Sequence, residues 1–233
     1  MKISALSAIV IIVFVASSCS ELLTATFESD VINNPPATDL PGPPTGDVIQ
    51  FNAAMSPQLQ VQNSDISGDK ALFYSNAIVD NPPPVASRWI SFQAKETDLN
   101  QTIWFQHTGE NMGSSILIDV SDGHGGLMAR MRIRPDGEVG LSTDLTDAYS
   151  DVIGQLASGA HNIVFTVFPS TLKYNVTILQ PGGPTITASN KPMITEDVSS
   201  FANPAHPKLS FLQEGSGTLT YAIGSVAISR KEP

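Results

Sequence analysis

The chain has 233 residues, one cysteine and a net charge of −10 at pH 7. A chain this acidic is not built to hold a polyanion, which excludes nucleic acid as a partner and electrostatic docking on anionic lipid. One thiol closes no internal disulfide, so the core must come from apolar burial, for which this length suffices in one all-β domain.

In chain order, Lys2 precedes an apolar run, Ile9 to Ala16, and then Ser17, Ser18 and Cys19. The run is shorter than the roughly 20 apolar residues that span a hydrocarbon core, so it reads as a removed leader. The small residues before the thiol resemble the lipobox of bacterial lipoproteins, in which that cysteine is diacylated and becomes the new N-terminus. The resemblance implies a signal peptide over residues 1–18, a short lipidated tether over 19–23 and a folded domain over 24–233. It also implies the outer membrane of a Gram-negative bacterium, because Ser20 rather than Asp follows Cys19; exposure to the periplasm or to the outside stays open. The alternative is an ordinary secretory leader followed by a free, buried Cys19. Loss of the leader removes Lys2 and no carboxylate, so the mature chain is more acidic still. Membrane binding then rests on the acyl chains, each buried CH₂ contributing about 0.8 kcal/mol.

Beyond the leader, short alternating segments are separated by turn residues and no long helical period occurs. The pattern predicts strands over Thr24–Ser29, Asp47–Phe51, Lys70–Val79, Arg88–Lys95, Thr102–His107, Ser115–Ser121, Leu127–Arg134, Glu138–Ser142, His161–Phe168, Leu172–Leu179, Lys208–Gln213 and Thr218–Ser229. Many short strands at this spacing make a sandwich or barrel. Pro135-Asp136-Gly137 and Pro169-Ser170-Thr171 read as hairpin turns. Asp144 to Ala157 reads as a loop with one turn. Pro35, Pro36, Pro41, Pro43 and Pro44 make an extended crossing between the first two strands, and Pro82 to Pro84 another. The sequons at Asn100 and Asn175 read as ordinary strand residues.

Three stretches resemble the jelly-roll domains of the concanavalin A-like lectin/glucanase superfamily, LamG-type modules included. Arg130-Met-Arg-Ile-Arg-Pro-Asp-Gly-Glu-Val139 is similar to their strand–turn–strand hairpin. Gly159-Ala-His-Asn-Ile-Val-Phe-Thr-Val167 with Leu172-Lys-Tyr-Asn-Val-Thr-Ile178 is similar to a second one, with Ala160 where a tryptophan is usual. Thr26-Phe-Glu-Ser-Asp30 and Tyr221-Ala-Ile-Gly-Ser-Val-Ala-Ile-Ser229 resemble the first and last strands that close such domains side by side. The implied fold is an antiparallel β-sandwich of jelly-roll type, whose concave face in that superfamily commonly binds glycans.

Period-two reading supplies candidate ligand residues. With Ile90, Phe92 and Ala94 facing the core, Trp89, Ser91 and Gln93 face the other way. Likewise Trp104 and Gln106 oppose Ile103 and Phe105, Leu117 and Asp119 oppose Ile116, Ile118 and Val120, and Arg130, Arg132 and Arg134 oppose Met131 and Ile133. If the strands are neighbours, one face carries both tryptophans, two glutamines, Asp119 and an arginine stripe. An aromatic plate stacks on the C–H face of a pyranose, and arginine pairs bidentately with carboxylates, which favours uronic acids. The alternative is a polar outer face whose arginine stems cover apolar surface and pair with neighbouring carboxylates.

Catalytic patterns are missing. The superfamily's Glu-x-Asp-x-x-Glu strand of paired carboxylates does not occur, nor does a Gly-x-Ser-x-Gly elbow. Jelly-roll polysaccharide lyases use Gln-x-His, whereas Gln106 and His107 are adjacent and a regular strand sends them to opposite faces unless a bulge intervenes. The residues around Asp119 and Asp122 fail the Asp-x-Asp-x-Asp-Gly calcium loop and read as a glycine-rich turn. Glu28 and Asp30 are a second calcium candidate, since related sandwiches hold structural calcium near the first strand. His161 opens an apolar strand, where it caps or packs. The expectation is a non-catalytic, glycan-binding or surface-assembly lipoprotein that requires no cofactor, calcium being the one metal in view. The alternatives are a polysaccharide lyase acting on an acidic glycan and a structural, protein-partner lipoprotein.

Overall fold

In the computed structural model the described residues are 21–40, 47–64, 70–76, 88–96, 101–142, 151–195, 201 and 205–230. The leader, Cys19, Asn100 and the Pro82 to Pro84 crossing lie outside them.

The strands are β1 (Glu21–Thr26), β2 (Val48–Phe51), β3 (Leu59–Asn63), β4 (Lys70–Ser75), β5 (Trp89–Gln93), β6 (Gln101–Met112), β7 (Ser115–Ser121) and β8 (Leu127–Ile133). They continue with β9 (Glu138–Leu141), β10 (Asp151–Gln155), β11 (His161–Phe168), β12 (Lys173–Leu179), β13 (Ile186–Pro192), β14 (Lys208–Glu214) and β15 (Leu219–Arg230). One antiparallel sheet runs β13-β12-β11-β6-β15-β4-β3, with β1 also paired to β15; the other runs β10-β9-β8-β7-β14-β5-β2. The two stack as a sandwich because each strand keeps an apolar set on one side.

The first and last strands do lie side by side, Leu23 opposite Ile228 and Thr26 opposite Ser225. Pairing starts at Glu21, however, with Leu22 and Leu23 fully buried, so the expected tether over 19–23 gives up its last residues to the fold. Three strands escape the sequence reading. β3 follows a short 3-10 turn at Ala53–Gln58. β10 occupies part of the stretch expected to be a loop, and β13 is an edge strand ending in Asn190, Lys191 and Pro192. Asn175 sits on β12 as expected, its amide oxygen accepting from the Asn190 N–H at 2.8 Å.

The β8–β9 turn at Pro135 to Gly137 forms as its residues dictate. Gly137 takes φ +85, its N–H reaches the Arg134 carbonyl at 2.9 Å, and Asp136 Oδ1 accepts from the Glu138 N–H at 3.0 Å. Pro169–Thr171 forms a single 3-10 turn between β11 and β12.

The sheets meet in a layer of rings. Phe105 of one packs edge-on to Phe211 of the other at 5.2 Å, and Phe92 meets Phe211 at 6.2 Å. At one end of this layer sits a buried polar hub. Gln213 Oε1 accepts from the Tyr74 hydroxyl at 2.8 Å and from Asn76 Nδ2 at 3.1 Å. Its Nε2 donates towards Gly217 O at 2.8 Å, Gly215 O at 3.0 Å and Ser114 Oγ at 3.3 Å. Asn76 Oδ1 in turn accepts from the Leu219 N–H at 2.9 Å. Burial around this hub pushes the Tyr74 hydroxyl up to about 12, with the Arg88 guanidinium pulling weakly the other way. Gly217 closes the corner: a Cβ there would lie 2.2 Å from the Gly113 carbonyl oxygen.

Gln213→Leu strands the buried Tyr74 hydroxyl without its acceptor, while Asn76 Nδ2 keeps the Gly217 carbonyl at 2.9 Å, so it costs about 2 kcal/mol. Tyr74→Phe removes one of two donors and costs about 1 kcal/mol. Thermal unfolding of the two variants checks this order.

Candidate functional site

On sheet β10 to β2, the face turned from the core is a grid fixed by register. One row reads Trp89, Leu212, Leu117, Arg132 and Gly140. The next reads Gln50, Ser91, Ser210, Asp119 and Arg130, and the third includes Gln93, Lys208 and Ser121. The period-two reading of β5, β7 and β8 thus holds, and their outward residues share one face.

Trp104 and Gln106 do not share it. Their strand, β6, belongs to the other sheet, where Trp104 lies between Val164 and Ala227, and Gln106 lies opposite Asn162. The expected face carrying both tryptophans is therefore split across the two sides of the sandwich. Alternation decides which side of a strand a residue faces, but not which sheet the strand joins. On their own side, Gln106 Oε1 and Asn162 Oδ1 are buried without hydrogen-bond partners.

The arginines are each held by a carboxylate. Arg130 grips Asp119 bidentately, Nε to Oδ1 at 2.7 Å and Nη2 to Oδ2 at 2.8 Å, with both side chains less than a fifth exposed. Arg132 pairs with Glu214 across β8, β7 and β14, and Arg134 with Glu138 across the turn at 2.6 Å. These pairs favour the polar-face alternative for the stripe: its cations are matched within the sheet, and the exposed Arg134 pair contributes only about 0.2–1 kcal/mol.

Beside them lies a recess of about 250 Å³ lined by Trp89, Asp119, Lys208, Ser210 and Leu212. The Lys208 ammonium stands 5.8 Å from the Trp89 ring centroid. Burial lowers its pKa below that of an ordinary lysine. Beneath, the Ser91 hydroxyl is buried and without a partner. The recess thus combines an aromatic plate, an aliphatic floor in Leu212, a cationic donor, a carboxylate and a hydroxyl. Its volume is below the roughly 300–1,000 Å³ of drug-sized pockets, which suits one ring. Lys208, Ser210 and Leu212 were missed as site residues although their strand was found; the signal was the same alternation, read outward from Leu209 and Phe211.

The remaining candidates have other partners. Lys70 Nζ sits on the carbonyls of Glu28 and Asp30, both at 2.7 Å, so an ammonium occupies the place proposed for calcium at the first strand. Asp30 Oδ1 accepts from the Ala37 N–H, and Asp122 Oδ1 from the N–H groups of His124 and Gly126. Among the described residues, no three His, Cys, Asp or Glu side chains gather to hold a metal. Gln106 and His107 point to opposite sides, His107 being fully buried, so the glutamine–histidine pairing of a lyase is not assembled.

No protein-family model matches the sequence, and no curated protein aligns with it. Among solved structures, the chain is similar to the lectin UEA-II complexed with galactose, at 12% identity, TM-score 0.53, and coverage of 90% of this chain and 99% of that one. It is similar to a lectin from Bauhinia forficata in complex with GalNAc at 9% identity, TM-score 0.50, and coverage of 90% and 98%. A sialidase aligns at 10% identity and TM-score 0.48 over 76% of this chain, which spans only 17% of that structure. At these identities the likeness is one of fold: an antiparallel β-sandwich of the concanavalin A-like jelly-roll type.

The Lys208–Trp89 contact has an optical readout. The chain has two tryptophans, so Trp104→Phe leaves Trp89 as the reporter. Its emission is expected to change as Lys208 loses its proton, with a midpoint below the ordinary lysine value of 10.5, and Lys208→Met is expected to abolish that step.

Proposed function

We propose that the protein is a lipid-anchored, non-catalytic lectin-like domain that binds a glycan through the recess around Trp89. What carries the reading is the recess itself: a tryptophan plate and polar groups of three kinds on one sheet face, on strands whose backbone pairing is complete. A pyranose laid on Trp89 and Leu212 presents hydroxyls to Asp119, Ser210 and Lys208. The lectin-like sandwich supports a carbohydrate ligand in class, without naming one. The arginine stripe does not argue for uronic acids, since each arginine has a carboxylate in place. Lys208, not the arginines, is the cation in the recess.

Anchoring rests on the lipobox-like sequence at Cys19. Among the described residues, no helix is long and apolar enough to cross a membrane. Because β1 begins at Glu21, an acyl chain on Cys19 would hold the sandwich close to the outer membrane's surface. Incorporation of labelled fatty acid is expected in the expressed chain and is expected to vanish in Cys19→Ser; equal labelling of both would refute the anchor.

The binding test is an array of neutral and uronate glycans probed with the protein lacking residues 1–19. Trp89→Ala is expected to lower retention on the bound glycan at least tenfold, while Trp104→Ala, on the other side of the sandwich, leaves it unchanged. Equal loss in both, or retention by Trp89→Ala, would remove the recess from the reading.

A further inference from the structure

A second cavity, of about 180 Å³, opens at the end of the sandwich beneath the β8–β9 turn, with His107, His161 and Met112 among its lining and the exposed Pro135 and Asp136 at its mouth. From these residues we propose that the cavity is a binding site for a soft monovalent metal ion, Cu(I) in class, with the two imidazoles and the Met112 thioether as ligands.

The backbone brings the three together. His107 and His161 are directly opposed across the β6–β11 ladder, both on its core side. Met112 is five residues beyond His107, and regular alternation would turn it outward. The β6–β15 register slips by one residue between Thr220 and Tyr221: Gly109 pairs with Tyr221, Asn111 with Thr220 and Met112 with Leu219. That extra residue on β6 reverses the alternation and returns Met112 to the histidines' side. Gly109 makes room for this. A Cβ at that position would lie 2.5 Å from Met112 Sδ and 3.7 Å from His107 Cε1, so sulfur and imidazole both border the space left open at this glycine.

The ligand atoms are open to a metal. His107 is fully buried, yet neither of its ring nitrogens has a hydrogen-bond partner. A buried polar group left unpaired is destabilising, and a coordinated ion would relieve that cost. His161 contacts the Ala157 carbonyl through Nε2 at 2.7 Å. That contact places the proton on Nε2 and the lone pair on Nδ1, which is buried and unpartnered. It is the arrangement by which a backbone carbonyl orients a metal-binding histidine.

Two imidazole nitrogens and a thioether suit a soft ion of low charge; hard divalent cations prefer carboxylate and carbonyl oxygens.

The test is anaerobic Cu(I) titration of the purified chain in competition with bicinchoninate, in a Cys19→Ser background so that the thiol does not compete. One tightly held Cu(I) per chain is expected, with a sulfur scatterer in the X-ray absorption spectrum. Met112→Leu conserves volume and His161→Gln keeps a donor to Ala157; each is expected to weaken binding at least tenfold while unfolding near the parent temperature. His206→Ala, which disrupts the His124–His206 pair at the other end of the β7 strand, is expected to change nothing. Absence of competition for Cu(I), binding that survives both Met112→Leu and His161→Gln, or loss in His206→Ala would overturn the assignment. Because the cavity and the Trp89 recess share no residue, glycan retention is unaffected by either outcome.

Discussion

The amide of Gln213 is the contact on which the rest of this sandwich depends. Stacked sheets are held by apolar contact, which is strong and nearly directionless, so a layer of Phe, Leu and Ile rings does little to prevent one sheet from sliding over the other. Gln213 supplies direction. It comes from β14 in one sheet and takes hydrogen bonds from Tyr74 and Asn76 at the end of β4 in the other, while its nitrogen is satisfied by the turn that follows β14. Tyr74 and Asn76 are buried, so a slip of either sheet would strand several polar groups at once. With Gln213 turned inward, period two turns Leu212, Ser210 and Lys208 outward, and these line the recess beside Trp89. The inner hydrogen-bond hub and the outer recess are thus two faces of one strand.

The outer surface is organised by local charge rather than by the overall balance. A chain of net charge −10 would be expected to display carboxylates, yet Asp119, Glu214 and Glu138 are each matched across strands by an arginine. This cross-strand pairing fixes the relative positions of β7, β8, β9 and β14, as opposite charges on facing strands do. It also leaves Lys208 as the cation of the recess, held over Trp89 where the ring face favours it and burial does not.

Strand faces were legible in the sequence because they depend only on alternation: Ile90 and Phe92 inward with Trp89 and Gln93 outward, Ile118 inward with Asp119 outward. Sheet membership was not, because it depends on which strand lies beside which after the chain has crossed from one sheet to the other. Trp89 and Trp104 stand on consecutive strands, and the crossing between β5 and β6 puts them on opposite sides. The missed strands have local causes. β10 contains Gly154 and leaves Val152 exposed, and β13 buries only Ile186 and Ala188 before its polar end, since edge strands need little apolar pattern. β3 does alternate, Leu59 and Val61 being buried, but over a stretch too short to stand out after the turn before it.

Strand irregularities explain why β6 serves two purposes without mixing them. Its pairing with β15 slips twice. Between Ile223 and Val226 the extra residue is on β15, so β6 passes from Phe105 to His107 in strict alternation. Gln106 therefore stays on the outer face and His107 inside, which is why the glutamine–histidine pair of a lyase does not form. Between Thr220 and Tyr221 the extra residue is on β6 itself, and the reversal there brings Met112 round to His107. Had the first slip fallen on β6, the imidazole would face solvent. Had the second fallen on β15, the cavity would lose its sulfur. Which strand carries the extra residue thus decides the chemistry available at that end of the sandwich, and composition and spacing do not contain that choice.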